Sequence, residues 1–322
     1  MTKPQQQAEP PDPLSRETLR AMDDLFGHHP GYRPVHAKGL LLSGAFTPSA
    51  SLKDLTKAPH ATRPSTRVAV RFSDFAGVPT VPDFDPQGSG PRGCAIRFYL
   101  EDHVHTDIIG HSVDAFPART AEEFLEFLRA VGASGPEVPH PTPIEVFLGS
   151  HPAALAFVQT PKPIPTSFAE ECFYSVSAYK FTNSRGASKF GRYRVVPEAG
   201  GRYLDAGTAA KQTPDFLFDE LRSRISRGVV RMNIRVQLAA GGDTVDDATK
   251  SWPSDRPVVD FGTIELNTIA PDNESEQRHI IFDPIPRVDG IESSGDPLLE
   301  PRATVYLLSG RRRRAAGQHS GS

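Results

Sequence analysis

The sequence predicts an α+β fold, an eight-stranded antiparallel β-barrel with flanking helices. Two observations lead to this prediction. About eight short segments alternate apolar and polar residues, as strands do when one of their faces is buried. The 322-residue chain also contains 31 prolines, which favour irregular connections over a helical bundle. Strands that all turn an apolar face to one interior favour a sheet that closes on itself.

The strands are predicted from alternation and from the turns between them. The clearest is 229–238, in which every second residue is apolar and the others are polar. Residues 173–181 and 189–196 flank a polar turn that contains glycine, so they predict a hairpin. The other predicted strands share the same alternation: 66–73, 93–100, 258–267 and 278–284.

The helices are predicted from apolar residues spaced three and four apart and from recognisable ends. Thr120 should cap the second helix in a capping box with Glu123, and Thr213 should cap the fourth. Pro152 should divide the third helix in two. The predicted helices are 15–27, 119–132, 143–158, 213–228 and 296–314.

Composition indicates a globular chain without a strong charge bias. The net charge of −3, from 36 basic and 39 acidic residues, gives no reason to expect nucleic acid or an anionic membrane as a partner. No run of about 18 apolar residues is present and the N-terminus lacks a secretory signal, so a cytoplasmic location is expected. We expect residues 1–13 and 315–322 to be disordered and 14–314 to form one domain.

Arg302 and Tyr306 carry the first chemical clue. They lie four residues apart on the last predicted helix, so both side chains project from one face. A guanidinium beside a phenol favours the phenolate, and a phenolate can serve as an anionic axial ligand to ferric haem. The same spacing also fits an ordinary tyrosine packed against an arginine stem, and this spacing alone does not decide between them.

Six short segments carry the strongest functional signal of the sequence. In chain order they read RPVHAKG (33–39), VAVRFSDFAG (68–77), PRGCAIRFYLED (91–102), DIIGHSVDAFPART (107–120), TKSWPSDRP (249–257) and RATVYLL (302–308). Together they resemble the characteristic segments of the monofunctional haem catalases. Because the chain stops soon after the last of them, it is most similar to the minimal bacterial catalase-related peroxidases. The resemblance implies a catalase-like barrel with haem between the barrel and nearby helices.

The resemblance also implies how a cofactor is held. It implies haem b, with Tyr306 as the axial ligand of the iron and Arg302 keeping that tyrosine deprotonated. The arginines would bind the two propionates, since carboxylates need cationic partners, and the phenylalanine would stack on the porphyrin. The further cofactor-binding residues implied in this way are Arg33, Val35, Arg71, Phe124 and Arg313.

Three residues are implied as catalytic. His36 matches the distal histidine, which can move a proton between the two oxygens of a peroxide near neutral pH. Ser73 matches the serine that orients that imidazole. His111 stands where the family has an asparagine, and a histidine there can be a donor, an acceptor or charged. Losing the amide is expected to affect the oxidation of a second peroxide more than the cleavage of the first.

The sequence therefore predicts a haem peroxidase that cleaves H2O2 or organic hydroperoxides through a ferryl intermediate. Small organic donors would reduce it, and catalase activity would be weak or residual. Two alternatives remain open: an isomerase of fatty-acid hydroperoxides on the same fold, and a haem carrier or sensor without turnover. A homodimer is expected, no residue pattern indicates NADPH, and the physiological donor is not identified by the sequence.

Overall fold

The computed structural model of the protein describes residues 12–318. Its helices are α1 Pro13–Phe26, α2 Leu52–Leu55, α3 Ala121–Gly132, α4 Pro143–Ser150, α5 Pro152–Gln159, α6 Ala206–Ala209, α7 Phe216–Arg227, α8 Asn273–His279 and α9 Leu299–Gln318. Its strands are β1 Gly39–Pro48, β2 Thr66–Ser73, β3 Gly93–Glu101, β4 Val104–His111, β5 Ile164–Pro165, β6 Phe173–Tyr174, β7 Tyr179–Thr182, β8 Ser188–Pro197, β9 Tyr203–Leu204, β10 Val230–Leu238, β11 Val258–Ile269 and β12 Ile291–Ser293.

A closed antiparallel barrel forms the body of the protein. Around the ring the strands follow in the order β10, β11, β1, β2, β3, β4, β6 and β8, and β8 pairs again with β10. Both β6 and β7 pair with the same partner, β8, so they behave as one interrupted strand of the ring. The predicted eight-stranded antiparallel barrel is therefore confirmed.

Alternation along the strands explains why the sheet closes around one core. In β10, Arg231 and Arg235 are exposed, whereas the apolar residues between and around them are buried. Burying each large apolar side chain contributes about 1.5–3 kcal/mol, so the sheet is stabilised by curling around these side chains. The buried residues of β10 are Val230, Met232, Ile234, Val236 and Leu238. Phenylalanines from four other strands meet in the same core: Phe46, Phe98, Phe181 and Phe261.

Three helices pack together on one side of the barrel. A small apolar cluster joins α1, α3 and α9, and an ion pair between Asp23 and Arg312, with a 2.9 Å contact, ties α1 to α9. Val35 and Phe124 border the same cluster, so the helices bring two of the predicted cofactor contacts together. The fully buried members of the cluster are Ala21, Met22, Leu125, Leu128 and Val305.

The strand predicted at 278–284 is wrong. Its first residues belong to α8 and the rest is irregular. The backbone carbonyls of this segment bind arginine side chains instead of a neighbouring strand: Arg33 donates to Ile280 O at 3.2 Å, and Arg313 donates to the same oxygen at 2.9 Å. The apolar alternation has another cause, because Ile280 and Phe282 pack on the outer wall of the barrel.

Two element ends also differ from the predictions. Thr213 does not cap α7, which starts three residues later at Phe216, after Asp215. At the C-terminus, α9 continues to Gln318, so residues 315–318 are helical where a disordered tail was expected. Of the two segments expected to be disordered, residues 1–11 and 319–322 lie outside the described part of the chain.

The predicted cap at Thr120 and the predicted break at Pro152 are confirmed, whereas the predicted capping box is wrong. Thr120 Oγ1 accepts the backbone N–H of Glu123 at 3.3 Å. The Glu123 carboxylate accepts the backbone N–H of Arg119 and not that of Thr120, so it does not complete the capping box. Pro152 separates α4 from α5. Of the two cysteines, Cys94 is buried, Cys172 is half-buried, and both are free thiols. Within residues 12–318, no helix combines the length and the apolar character that crossing a bilayer requires.

Candidate active site

A large cavity lies between the barrel wall and α1, α3 and α9. The barrel wall, the loop before β1 and these helices all contribute side chains to its lining, most of them apolar. The structure brings all ten site residues predicted from the sequence to its walls. They are Arg33, Val35, His36, Arg71, Ser73, His111, Phe124, Arg302, Tyr306 and Arg313.

His36 enters the cavity from the loop before β1, in a backbone conformation that needs support. Its φ of +58° lies in the left-handed region, which costs a residue other than glycine about 1–3 kcal/mol. The His36 amide donates to Phe75 O at 2.6 Å, and the Arg71 guanidinium donates to His36 O at 2.9 Å. Hydrogen bonds therefore hold both the backbone N–H and the backbone C=O of His36.

Hydrogen bonds also determine which nitrogen of His36 carries the proton. Nδ1 lies 2.9 Å from the backbone oxygen of Asp74, and a carbonyl can only accept, so Nδ1 is protonated and Nε2 keeps its lone pair. Ser73 Oγ lies 3.2 Å from the same Nδ1. Burial, and then the positive charge of Arg71, lower the pKa of His36 to about 4. At neutral pH His36 thus presents a neutral imidazole with Nε2 as a hydrogen-bond acceptor.

His111, at the end of β4, has the opposite tautomer. The backbone N–H of Val113 donates to its Nδ1 at 3.3 Å, so Nδ1 is the acceptor and Nε2 carries the hydrogen. Nε2 is buried and has no hydrogen-bond partner among the described residues. Burial, and then His36, lower the pKa of His111 to about 3. The cavity therefore holds one neutral acceptor and one neutral donor, both supplied by imidazoles.

One face of α9 supplies a second wall of the cavity. Arg302, Tyr306, Ser309 and Arg313 line the cavity at helical spacing, and Arg302 Nη2 donates to the Tyr306 hydroxyl oxygen at 3.3 Å. Burial alone would lower the pKa of Arg302, but the adjacent Tyr306 phenol raises it above its ordinary value. A glycine at Gly310 allows the close approach, since a Cβ there would lie 2.3 Å from Ile281.

Three guanidinium groups lie together at one side of the cavity without a carboxylate. Arg33, Arg71 and Arg313 donate to backbone and neutral side-chain oxygens, and within residues 12–318 none of them forms an ion pair. Burial, followed by their mutual repulsion, lowers the pKa of Arg33 well below its usual range and that of Arg71 to about 9. Burial also lowers the pKa of Arg313 to about 10. This cluster is suited to bind an anionic group.

Aromatic rings form a continuous wall that leads outward from His111. Ring centroids are separated by 6.4 Å from His111 to Phe116, by 5.2 Å from Phe116 to Phe124 and by 6.5 Å from Phe124 to Phe127. The next ring, Phe147, is 5.8 Å further, on α4. Of these rings Phe116, Phe124 and Phe127 line the cavity, so an apolar molecule inside it would find a hydrophobic surface next to His111.

Sequence reasoning missed the groups that set the two tautomers. The carbonyl of Asp74 and the amide of Val113 act through the backbone, so residue type gives no signal for them. Gln277, which accepts from Arg71 Nε at 2.7 Å, was also missed, because α8, the helix that carries it, was not predicted. Only the position of Asp74 directly after Ser73 could have pointed to this neighbourhood.

Comparison with known proteins agrees with this geometry. The family model described as Catalase matches residues 28–320. The chain belongs to the catalase family. A catalase-related peroxidase of Mycolicibacterium paratuberculosis is 35% identical over 298 residues, which cover 91% of this chain and 92% of the relative. A catalase-related peroxidase of Synechococcus elongatus is 30% identical over 297 residues, covering 91% of this chain and 86% of the relative.

Solved structures show that the fold is that of catalases. A fungal catalase superposes with a TM-score of 0.76 at 24% identity, covering 88% of this chain and 59% of the other. A bacterial catalase gives the same TM-score at 23% identity, covering 88% and 57%. The chain thus spans about three fifths of these larger catalases, while it matches nearly the whole length of the catalase-related peroxidases. Membership of the family makes this an oxidoreductase that acts on peroxide.

The family implies a haem cofactor, and the residues of the cavity fit one. A haem carries two carboxylates and an otherwise apolar ring. The three arginines that lack carboxylate partners suit the carboxylates, and Arg313 Nε is buried without a partner among the described residues. The phenylalanines that line the cavity suit the ring, and the Tyr306 oxygen, held by Arg302, is a donor that iron accepts.

The buried histidines predict how stability depends on pH. Burial lowers the pKa of His36 and His60 to about 4 and that of His111 to about 3, from an ordinary value of 6.5. Below pH 6.5 the unfolded chain takes up protons that the folded protein does not, so the free energy of unfolding falls as pH falls. We expect a loss of roughly 1.5 kcal/mol per histidine between pH 6.5 and 5, measured by denaturant titration.

A pair of variants isolates this effect. His60→Leu removes one histidine from the barrel core. It should reduce the pH dependence of the free energy of unfolding by the contribution of one histidine. His103→Asn, at a side chain that is 93% exposed, should leave the slope unchanged. The same slope in wild-type protein and in His60→Leu would contradict a neutral, buried His60.

Proposed function

We propose that this protein is a haem b-dependent peroxidase that cleaves H2O2 or organic hydroperoxides and is reduced by small organic donors, with weak or residual catalase activity. The observation that carries the proposal is the complementary pair of imidazoles. His36 offers an acceptor at Nε2 and His111 offers a donor at Nε2, both neutral and both facing one cavity. A hydroperoxide has one hydrogen to give and oxygen lone pairs to receive, which matches this pair.

The cofactor would be held from two walls. Tyr306 would bind the iron, with Arg302 stabilising its phenolate, while Arg33, Arg71 and Arg313 would bind the propionates. Val35 and Phe124 would contact the ring. Bound in this way, haem would supply the redox centre that cleaves the peroxide bond and then oxidises the donors.

His36 would move the proton that cleavage requires. Its Nε2 accepts the proton from one oxygen of the peroxide, the one that carries the O–H hydrogen. It returns the proton to the other oxygen, which can then leave as water or alcohol. Ser73 Oγ and Asp74 O keep Nδ1 oriented, so Nε2 stays directed into the cavity throughout. Because the pKa of the resting imidazole is about 4, it is available as a base at all pH values above that.

His111 would favour peroxidase over catalase turnover. Oxidation of H2O2 to O2 removes two hydrogens. A site that catalyses this reaction is therefore helped by a second hydrogen-bond acceptor beside His36 Nε2. The amide of an asparagine can both donate and accept, whereas His111 can only donate, because Val113 N–H occupies its Nδ1. Two similar proteins bear the name catalase-related peroxidase, which agrees with this preference.

The aromatic wall supports a second candidate. Its apolar surface from Phe127 to His111 lines the cavity and suits the tail of an organic hydroperoxide. An isomerase of fatty-acid hydroperoxides would use the same wall and the same histidines but would need no reductant. Consumption of a lipid hydroperoxide in the absence of any donor would therefore identify it, and dependence on a donor would identify the peroxidase.

We further propose one haem domain over residues 14–314, a homodimer and a cytoplasmic location. Val146, Leu155 and Val158 are exposed on α4 and α5, and neighbouring exposed apolar side chains often mark a protein interface. The free thiols of Cys94 and Cys172 suit a reducing compartment. Light scattering on the purified protein would give the mass of the assembly, and a monomer would reject the dimer.

The function is tested by peroxide-dependent oxidation of a small phenol. Wild-type protein loaded with haem should oxidise it, and His36→Ala should lose at least about a hundredfold of this rate, because the proton carrier is gone. The haem spectrum should persist in the variant. Wild-type rates in His36→Ala would remove its catalytic role, and an inactive wild type would reject the peroxidase.

The iron ligand is tested by absorption spectroscopy. Tyr306→Phe should lose haem or show a changed ferric spectrum, since the phenolate oxygen is absent. Tyr179→Phe is the matched control, because Tyr179 is buried and its hydroxyl bonds Pro284 O at 3.2 Å. An unchanged spectrum in Tyr306→Phe would show that another group binds the iron.

The role of His111 is tested by comparing two substitutions. His111→Asn restores an amide that both donates and accepts, so O2 release from H2O2 should rise several-fold relative to phenol oxidation. His111→Leu removes the donor without adding an acceptor and should slow both reactions. Equal ratios of the two activities in both variants would contradict the proposed role of the donor.

A further inference from the structure

An exposed tyrosine outside the cavity has a buried partner that the chemistry above does not use. Tyr203, in β9, is 44% exposed, and its hydroxyl donates to Glu171 Oε1 at 2.9 Å. Glu171 is only 2% exposed and also accepts the backbone N–H of Cys172 at 2.9 Å. The phenol ring therefore faces solvent while the acceptor of its proton lies inside the protein.

A short stretch of chain connects this pair to the cavity. Tyr174 lies three residues after Glu171, lines the cavity and pairs with His111 across β4 and β6. A residue spans at most about 3.6 Å, so the Cα atoms of Glu171 and Tyr174 are within about 11 Å of each other. Burial, and then Glu171, raise the pKa of Tyr203, and the phenol of Tyr174 is close enough to contribute to the same rise.

The groups around Tyr203 and Tyr174 favour loss of an electron from Tyr203, the exposed one of the two. An oxidised phenol is a very strong acid, so a phenol loses an electron readily when a base takes its proton at the same time. Glu171 is such a base, and burial raises its pKa to about 7, where it can accept the proton and release it again. At Tyr174 the guanidinium of Arg194 lies 5.0 Å over the ring and disfavours positive charge there.

We infer that Tyr203 and Glu171 form a second oxidation site, at the protein surface, for phenols and other aromatic one-electron donors too large to enter the cavity. The inference rests on the proposed peroxidase function, because peroxide cleaved in the cavity is the oxidant. The ring is accessible from solvent, and the residue beside it is Gly201, where an added Cβ would lie 3.4 Å from Tyr203 but which places no side chain over the ring. A donor attached to a polymer or to another protein can therefore approach the ring of Tyr203.

Electrons and protons balance in this scheme. Each peroxide takes up two electrons and two protons and yields an alcohol, or water, together with one water. Tyr203 passes one electron inward and its proton to Glu171, then takes a hydrogen atom from the donor, and Glu171 releases its proton. Two such events per peroxide leave two donors each oxidised by one electron and restore Tyr203 and Glu171.

The test uses one phenol in two forms, free in solution and coupled to dextran, with haem-loaded protein and H2O2. Wild type should oxidise both forms. Tyr203→Phe should slow oxidation of the dextran-coupled phenol by at least about tenfold and change the free phenol by less than about twofold. Glu171→Gln keeps an acceptor for the tyrosine hydroxyl but is no base, so it should give the same pattern. Tyr32→Phe, at an equally exposed tyrosine, should change neither rate.

A second readout does not depend on turnover of a donor. Wild type treated with peroxide and a spin trap, without donor, should carry the trap on Tyr203, located by peptide mass spectrometry, and Tyr203→Phe should lack it. Full oxidation of the dextran-coupled phenol by Tyr203→Phe, or a wild type that oxidises only the free phenol, or no trap on Tyr203, would overturn the inference alone. A wild type that oxidises neither phenol would overturn the proposed peroxidase and this site with it.

Discussion

Three guanidinium groups that form no ion pair within residues 12–318 constrain the rest of this structure. Arg33, Arg71 and Arg313 repel one another, and their hydrogen bonds to carbonyl, amide and hydroxyl oxygens do not neutralise their charge. Removing a charge from water is costly unless an opposite charge accompanies it. An anion that enters the cavity offsets this cost, so its binding energy is also folding energy. The stability of the folded cavity therefore rises with its affinity for a dianionic cofactor.

The same arginines determine local backbone structure, which explains where the sequence was informative and where it was not. The barrel is predictable because its strands follow the simple alternation of a buried face, as in β10. The segment 278–284 shows a similar alternation but is not a strand, since its Ile280 carbonyl accepts from both Arg33 and Arg313, and Arg33 is distant in sequence. Eight of the ten predicted cavity residues lie in four of the six recognisable segments, and Phe124 and Arg313 follow from their spacing to His111 and Tyr306.

The protonation pattern of the two histidines could not be predicted from the sequence. It depends on one carbonyl, that of Asp74, and one amide, that of Val113, each placed by a turn of the backbone. Any residue type at these positions would offer the same group, so no side-chain pattern signals it. A donor and an acceptor set by the backbone are also insensitive to pH near neutrality, because neither imidazole needs to change its charge before a ligand arrives.

The two walls of the cavity come from opposite ends of the chain, and this has a consequence for biosynthesis. The loop that carries His36 emerges from the ribosome well over two hundred residues before Arg302, Tyr306 and Arg313 on α9. A nascent chain that lacks α9 can form much of the barrel but has only part of the charge cluster and lacks Tyr306, the proposed iron ligand. Under that proposal haem capture waits until α9 has been synthesised, and a chain released before that point would be a poor sink for the cell's haem supply.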